Sequence, residues 1–349
     1  MNLTGDLDMK NFSIVTCRRE REETESQRPG IKALFNRIVG FFKTEKFEPR
    51  LDIITDGNGL KDVLVNLPYA LSELDSLSNS KVIKIKKFIE ELKTEHSLES
   101  VIIPAALSHI SWLKEISDPG FDGSRLYKAL IFIILNEIFT GRGYKIGELE
   151  IAILHTEDGG LLFETINFLA DHAKYLTVVT DRAESIEGEI ERVYSETGLS
   201  VGLTKDYRSG MRNADIIINL GNLRAKGVNF RVNPNAVILN FGQLEMEKLT
   251  GENPVINGVD VRLPPEASAV KQQVGDFFNN LQLAEILLSH GMETAYGEGA
   301  ESGGENSVKR FSDAFVQGGY SISSFYGRRG VVKTRDIRIN LNKDREPGD

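Results

Sequence analysis

The sequence predicts an α/β protein, a doubly wound parallel sheet preceded by a smaller N-terminal α/β domain. Three observations carry that expectation. Residues 151–182, IAILHTEDGGLLFETINFLADHAKYLTVVTDR, read as strand, Gly turn, helix, strand. The strands expected at 151–154, 176–180, 199–203, 215–219 and 236–240 are apolar without alternation, as in a parallel sheet covered on both faces. Helices expected at about 161–174 and 183–197 alternate with them, which implies right-handed crossovers. A chain of 349 residues also leaves room for a second domain.

From the N-terminus, residues 1–30 hold the run RREREETE and end at Pro29-Gly30, so they read as a charged, disordered tail. In residues 31–46, Ile31, Leu34, Phe35, Ile38 and Phe42 share a helical face beside Lys32, Arg37, Lys43 and Lys46. Two readings stand: a helix docked on the protein's own body, or a surface helix touching an anionic membrane. Asp56-Gly57-Asn58-Gly59 between two strand-like runs predicts a hairpin. It is not a calcium loop, because Lys61 stands where the sharp-turn Gly belongs. Residues 81–95 predict an amphipathic helix, 100–104 a short buried strand, and 124–140 a long apolar helix stopped by Gly141 and Gly143.

The small domain is thus expected over 31–140 and the doubly wound domain over 141–265. One long helix should follow at 266–296 and return to the first domain. Residues 297–307, GEGAESGGENS, read as a flexible linker. Residues 308–349 read as a basic hairpin and tail turning around Gly327-Arg328-Arg329-Gly330. With Tyr320, Phe325 and Tyr326 the hairpin suits either single-stranded nucleic acid or, as the favoured reading, an edge ribbon on an acidic body.

Composition limits function. A net charge of −9 disfavours nucleic acid as the main partner. The single cysteine, Cys17, excludes an internal disulfide framework and fits a reducing, cytoplasmic compartment, membrane-peripheral if the basic segments bind lipid. No secretory signal is read at the N-terminus, and the longest apolar run is too short to span a bilayer. The five histidines show no metal-ligand spacing, so no metal is expected.

The chemistry is concentrated in the turn after the first strand of the parallel sheet. A dinucleotide turn reads G-x-G-x-x-G, for the bend, the pyrophosphate approach and helix packing. Here the turn reads His155-Thr156-Glu157-Asp158-Gly159-Gly160. Glu157 and Asp158 would repel a pyrophosphate, yet the same carboxylates complement a helix N-terminus that holds no ligand. Asp181 ends the second strand, where a ribose-binding acid belongs in NAD sites. Arg182 beside it suits the 2′-phosphate of NADP.

Residues 50–295 resemble the shikimate dehydrogenase-like, Rossmann-like two-domain dehydrogenases. Phe121-Asp122-Gly123 before a helix is similar to that family's Asn-Thr-Asp-Gly segment, whose Asp is catalytic. Thr180-Asp181-Arg182 stands where the family has Asn-Arg-Thr, and Ala214-Asp215-Ile216-Ile217-Ile218-Asn219 looks like its strand beside the nicotinamide. Residues 100–106, SVIIPAA, resemble its Asn-Val-Thr-x-Pro-x-Lys strand, so Ala106 occupies the place of the catalytic Lys. Asp122 then lacks the partner with which it would move a hydroxyl proton. His109 is read either as a substitute base or as a partly buried structural histidine.

The resemblance therefore implies a degenerate dehydrogenase-like protein. NAD or NADP would be held in an inter-domain cleft by His155, Thr156, Gly159, Gly160, Asp181, Arg182 and Asn219, with Asp122 and His109 as catalytic candidates. The alternative is a non-catalytic scaffold or regulatory protein that meets a protein partner or a membrane through 31–46 and 308–345. A homo-oligomer is expected in either case.

Overall fold

Short apolar runs rich in Ile, Val and Leu become strands here, and longer runs with helical spacing cover them. The structure is a computed structural model. It describes residues 11–18, 47, 49–55, 61–96, 98–117, 121–139, 144–156, 160–221, 232–242, 253–274, 277–296, 307–327 and 330–332. The chain divides into two units: 1–122 with 265–279, and 123–264 with 280–349.

The first unit is built on a four-stranded mixed sheet. Its strands are β1 (Asn11–Arg18), β2 (Arg50–Thr55), β3 (Lys61–Ala70) and β4 (Leu98–Ile102), in the order β2-β3-β1-β4. β2 and β3 are antiparallel with Thr55 opposite Lys61, which is the expected hairpin; its turn lies outside the described residues. β1 runs parallel to both β3 and β4. Helices α1 (Leu71–Leu74), α2 (Asn79–Glu95) and α3 (Ser111–Ile116) complete the N-terminal part of the unit. In α2, Ile85, Ile89 and Leu92 repeat at helical spacing and are buried, so one face of the helix enters the core.

β1 corrects the expectation of a disordered tail over residues 1–30. Ser13, Ile14, Val15, Thr16 and Cys17 are all buried in the middle of the sheet. The neighbouring charge run says nothing about five small and β-branched residues that fit a covered strand. Cys17 belongs to that core and not to a charged tail.

The second unit opens with α4 (Ser124–Ala129) and α5 (Ile131–Phe139). These replace the single helix expected over 124–140. The Leu130 N–H is shared between the carbonyls of Leu126, at 2.9 Å, and Tyr127, at 3.2 Å, which tightens the turn there. The sheet follows: β5 (Glu150–His155), α6 (Gly160–Ala170), β6 (Tyr175–Thr180), α7 (Ala183–Thr197), β7 (Val201–Thr204), α8 (Tyr207–Met211), β8 (Ile216–Asn219), β9 (Val237–Asn240) and β10 (Val255–Ile256). All six strands are parallel, in the order β10-β9-β8-β5-β6-β7. Counted along the unit this is 3-2-1-4-5-6, the Rossmann order, with its topological switch between β5 and β8. Both faces are covered. Ile151, Ile153, Val178, Ile216 and Ile218 enter one core, while Ala152, Leu154, Val179, Ile217 and Ile238 enter the other. That double burial is why the strands show no alternation.

Beyond the sheet come β11 (Gly258–Arg262), α9 (Pro265–Val274), α10 (Asn280–Tyr296), α11 (Ser307–Gln317), β12 (Ser321–Gly327) and β13 (Gly330–Val332). The single long helix expected over 266–296 is thus two. α9 belongs to the first unit and α10 to the second. The sequence between them carries Gly275, Asp276 and Asn279, all weak helix formers. β12 and β13 form an antiparallel pair with Gly327 opposite Gly330, and β12 also pairs with β11; the rest of the second strand expected for the C-terminal hairpin lies outside the described residues. Phe325 is buried in the main core of the unit, so it is not an exposed stacking platform. Residues 31–46, 297–306 and 333–349 lie outside the described residues, and with them the basic helix, the linker and most of the basic tail. Among the described residues no helix is long and apolar enough to cross a membrane.

Candidate functional site

The carboxyl ends of the parallel strands gather most of the polar candidates. In open α/β sheets this edge, at the switch point, is where ligands bind, because adjacent loops diverge there and leave a crevice. β5 ends on His155, which is buried, and Thr156, which is half-buried. Helix α6 begins at Gly160. Glu157, Asp158 and Gly159 lie outside the described residues.

β8 ends on Asn219, whose side chain is fully buried. Its Oδ1 accepts the Gly221 N–H at 3.2 Å, and its Nδ2 donates to Asn240 Oδ1 at 2.6 Å. Asn240 Nδ2 then donates to Asn257 Oδ1 at 3.0 Å. Three successive strand ends are thereby linked by one row of amides. Turn and strand meet closely: a Cβ at Gly221 would lie 2.4 Å from Thr156 Oγ1 and 2.8 Å from Thr156 N, and one at Gly242 would lie 2.0 Å from Gly221 O. Only glycine fits at those two positions without displacing backbone.

β6 ends on buried Thr180, whose Oγ1 accepts the Arg182 N–H at 3.1 Å and turns the chain into α7. Asp181 and Arg182 are exposed at that corner. Beside them, Lys205 pairs with Glu184. Hydrogen bonding from that ammonium holds the Glu184 carboxyl below its ordinary range.

The strand motif 214–219 has two ends with different roles. Asn219 belongs to the carboxyl edge. Asp215 stands at the amino end of β8, buried, where its Oδ2 accepts the Glu150 N–H at 2.9 Å. It ties β8 to β5 at the edge away from the crevice.

The other candidates lie in the first unit. Ala106 is exposed in a 3-10 turn, Ala105–Leu107. His109 is exposed with Nε2 3.5 Å from Asp75 Oδ2. Asp122 is exposed immediately before Gly123, whose φ of +93° admits glycine and strains other residues as it starts α4. The Asp-Gly pair therefore has a structural cause in backbone conformation as well as a functional reading. Among the described residues no cluster of His, Cys, Asp and Glu could hold a metal ion.

Sequence reasoning missed Asn240, Asn257, Gly221 and Gly242. A signal was present: residues 216–221 read IIINLG, 237–242 read VILNFG and 255–258 read VING, each an apolar strand closing on Asn.

Solved structures similar to this chain include shikimate 5-dehydrogenase from Listeria monocytogenes in complex with shikimate and NAD, at 12% identity over 87% of this chain and 96% of that chain, with a TM-score of 0.29. Quinate dehydrogenase from Corynebacterium glutamicum in complex with NAD is 10% identical over 88% of this chain and 99% of that one, with a TM-score of 0.30. D-lactate dehydrogenase from Escherichia coli is 11% identical over 82% and 94%, with a TM-score of 0.36. No family model and no curated protein matches the sequence. At such identities and scores it is the sheet's own strand order that defines the fold.

Proposed function

We propose that the second unit binds a nicotinamide dinucleotide along the carboxyl edge of its sheet, in a dehydrogenase-like manner. The observation that carries this is the all-parallel 3-2-1-4-5-6 order, with α6 starting directly after the first strand at the switch point. The residues present fit in part. Asp181 ends the second strand, where an acid can accept both ribose hydroxyls, and favours NAD over NADP. Asn219 is held rigid at the end of β8, beside the crevice, by partners on both of its amide atoms. When bound, the nicotinamide would supply hydride chemistry. The residues of this chain would bind and orient it.

Glu157 and Asp158 oppose a pyrophosphate and Ala106 replaces a catalytic Lys, so the proposal is for binding, without shikimate-type proton transfer by a Lys–Asp pair. Those two departures also favour the second reading, a scaffold that keeps the fold for its surface.

Calorimetric titration with NAD, NADH, NADP and NADPH separates the two. The expected result is saturable binding at micromolar NAD, weaker for NADP. Asp158→Gly should tighten NAD by roughly five- to tenfold, since a like charge near a protein surface costs on the order of 1 kcal/mol. Absence of binding up to millimolar would overturn the dinucleotide reading.

A further inference from the structure

A second feature of the carboxyl edge lies between β6 and β7. Their register sets Val179 opposite Thr204, so Thr180-Asp181-Arg182 and Lys205-Asp206-Tyr207 leave the sheet side by side. Each turn is pinned. Thr180 Oγ1 holds the Arg182 N–H, while Asp206 Oδ1 accepts the Arg208 N–H at 2.9 Å and the Asp206 N–H donates to Thr204 Oγ1 at 3.0 Å. The Lys205–Glu184 pair ties the second turn to the start of α7. α8 lies close on β6: a Cβ at Gly210 would come within 2.4 Å of Val179 Cγ2.

Tyr207 opens α8 half-buried, packed against the cluster that contains Val179 and Met211. Burial raises its phenol pKa, and so does the nearby charge of Asp181. An aromatic side chain and a carboxylate therefore share one corner of the edge, and solvent reaches both. In a dinucleotide the adenine is bonded to the same ribose whose hydroxyls an acid at the end of the second strand would take. A base attached there falls within a few ångströms of Asp181, and a purine gains most from a flat aromatic face.

We propose that Tyr207 is the adenosine-binding wall of the dinucleotide site, with the adenine lying on its ring while Asp181 takes the adjoining ribose. The inference rests on the dinucleotide reading above and adds a residue and a direction to it: the adenosine half lies over β6 and β7, and the nicotinamide half toward Asn219.

The test is calorimetric titration of the full chain and of Tyr207→Leu and Tyr207→Phe with NAD, ADP-ribose and nicotinamide mononucleotide. Leucine keeps apolar cover over the cluster that Tyr207 packs against and removes the aromatic face. Loss of about tenfold in affinity for NAD and ADP-ribose is expected in Tyr207→Leu, in keeping with base–aromatic stacking. Nicotinamide mononucleotide should bind as in the parent, and Tyr207→Phe should stay within about twofold, since the stacking face is kept. Unchanged NAD and ADP-ribose affinity in Tyr207→Leu overturns the adenosine wall and leaves the dinucleotide site standing. Equal loss for all three ligands assigns Tyr207 to the fold alone and overturns it too. A parent protein that binds none of the three removes both readings.

Discussion

At the scale of single residues, the amide row at the strand ends is the most constrained feature of the edge. Asn219 is fully buried, so each of its hydrogen bonds replaces a lost contact with water. Asn219→Ala would leave the Gly221 N–H and Asn240 Oδ1 without this partner, at about 1–3 kcal/mol for each group left buried and unsatisfied. For a unit of this size the thermal midpoint should fall by roughly 5–15 °C. Asn219→Asp makes a sharper test. It sets a carboxylate against the Asn240 oxygen at the position of a 2.6 Å bond. The neutral acid can donate there and the anion cannot, so the folded pKa is raised. The penalty should be absent below the ordinary Asp pKa of about 3.9 and grow as pH rises through the folded value. A penalty that does not change between pH 3 and 7 would refute that role for the amide. These residues also show what was legible. Asn219 and Asp181 were readable because a strand end is marked by the close of an apolar run. Asn240 and Asn257 close apolar runs in the same way, but their link to Asn219 was not legible, because it is set by lateral strand pairing and a βα pattern read along the chain is blind to it.

Among the elements, the parallel strands were legible because burial on both faces leaves an unbroken apolar run. β1 was not, because RREREETE directly follows its short apolar stretch and dominated the local composition. β10, two residues long, offers too little periodicity to detect. The apolar stretch over 124–140 was legible as helix but not as two helices, since the break at Leu130 lies in how one N–H is shared. The second of them, α5, carries Glu137 among Ile131, Ile134, Leu135 and Ile138. Glu137 is solvent-exposed by surface area, and partial desolvation along the helix raises its carboxyl pKa above the ordinary value. A raised acid favours the protonated folded state, so its cost to stability appears as pH rises past the unfolded pKa and is complete above the folded one. Glu137→Gln should therefore match the parent near pH 3.5 and melt at higher temperature than the parent near pH 7. Equal melting shifts at both pH values would show that the Glu137 charge carries no such cost.

For the whole molecule, the two units are woven from non-contiguous chain. The path crosses from one to the other after residues 122, 264 and 279. The first unit takes α9 from far along the sequence, and the second recovers its last three elements only after residue 306. This explains why the domain limits were the least legible part of the organisation: a contiguous reading assigns the C-terminal segment to an appendage. The structure gives it a core function instead. Phe311, Phe315 and Phe325 are nearly fully buried in the same cluster as Ile151, Ile216 and Val237, and β12 supplies the middle strand beside β11. Burying three such side chains contributes about 5–9 kcal/mol by area, comparable with the ~5–15 kcal/mol net stability of a typical domain. A chain ending at Asn306 should accordingly lose the cooperative unfolding transition of the second unit and its near-ultraviolet circular dichroism. If the shortened chain instead melts within a few degrees of the parent, the C-terminal elements are an appendage after all. If it keeps its fold together with the NAD binding proposed for the parent, the carboxyl edge of the sheet is independent of the helix and ribbon that close the second core.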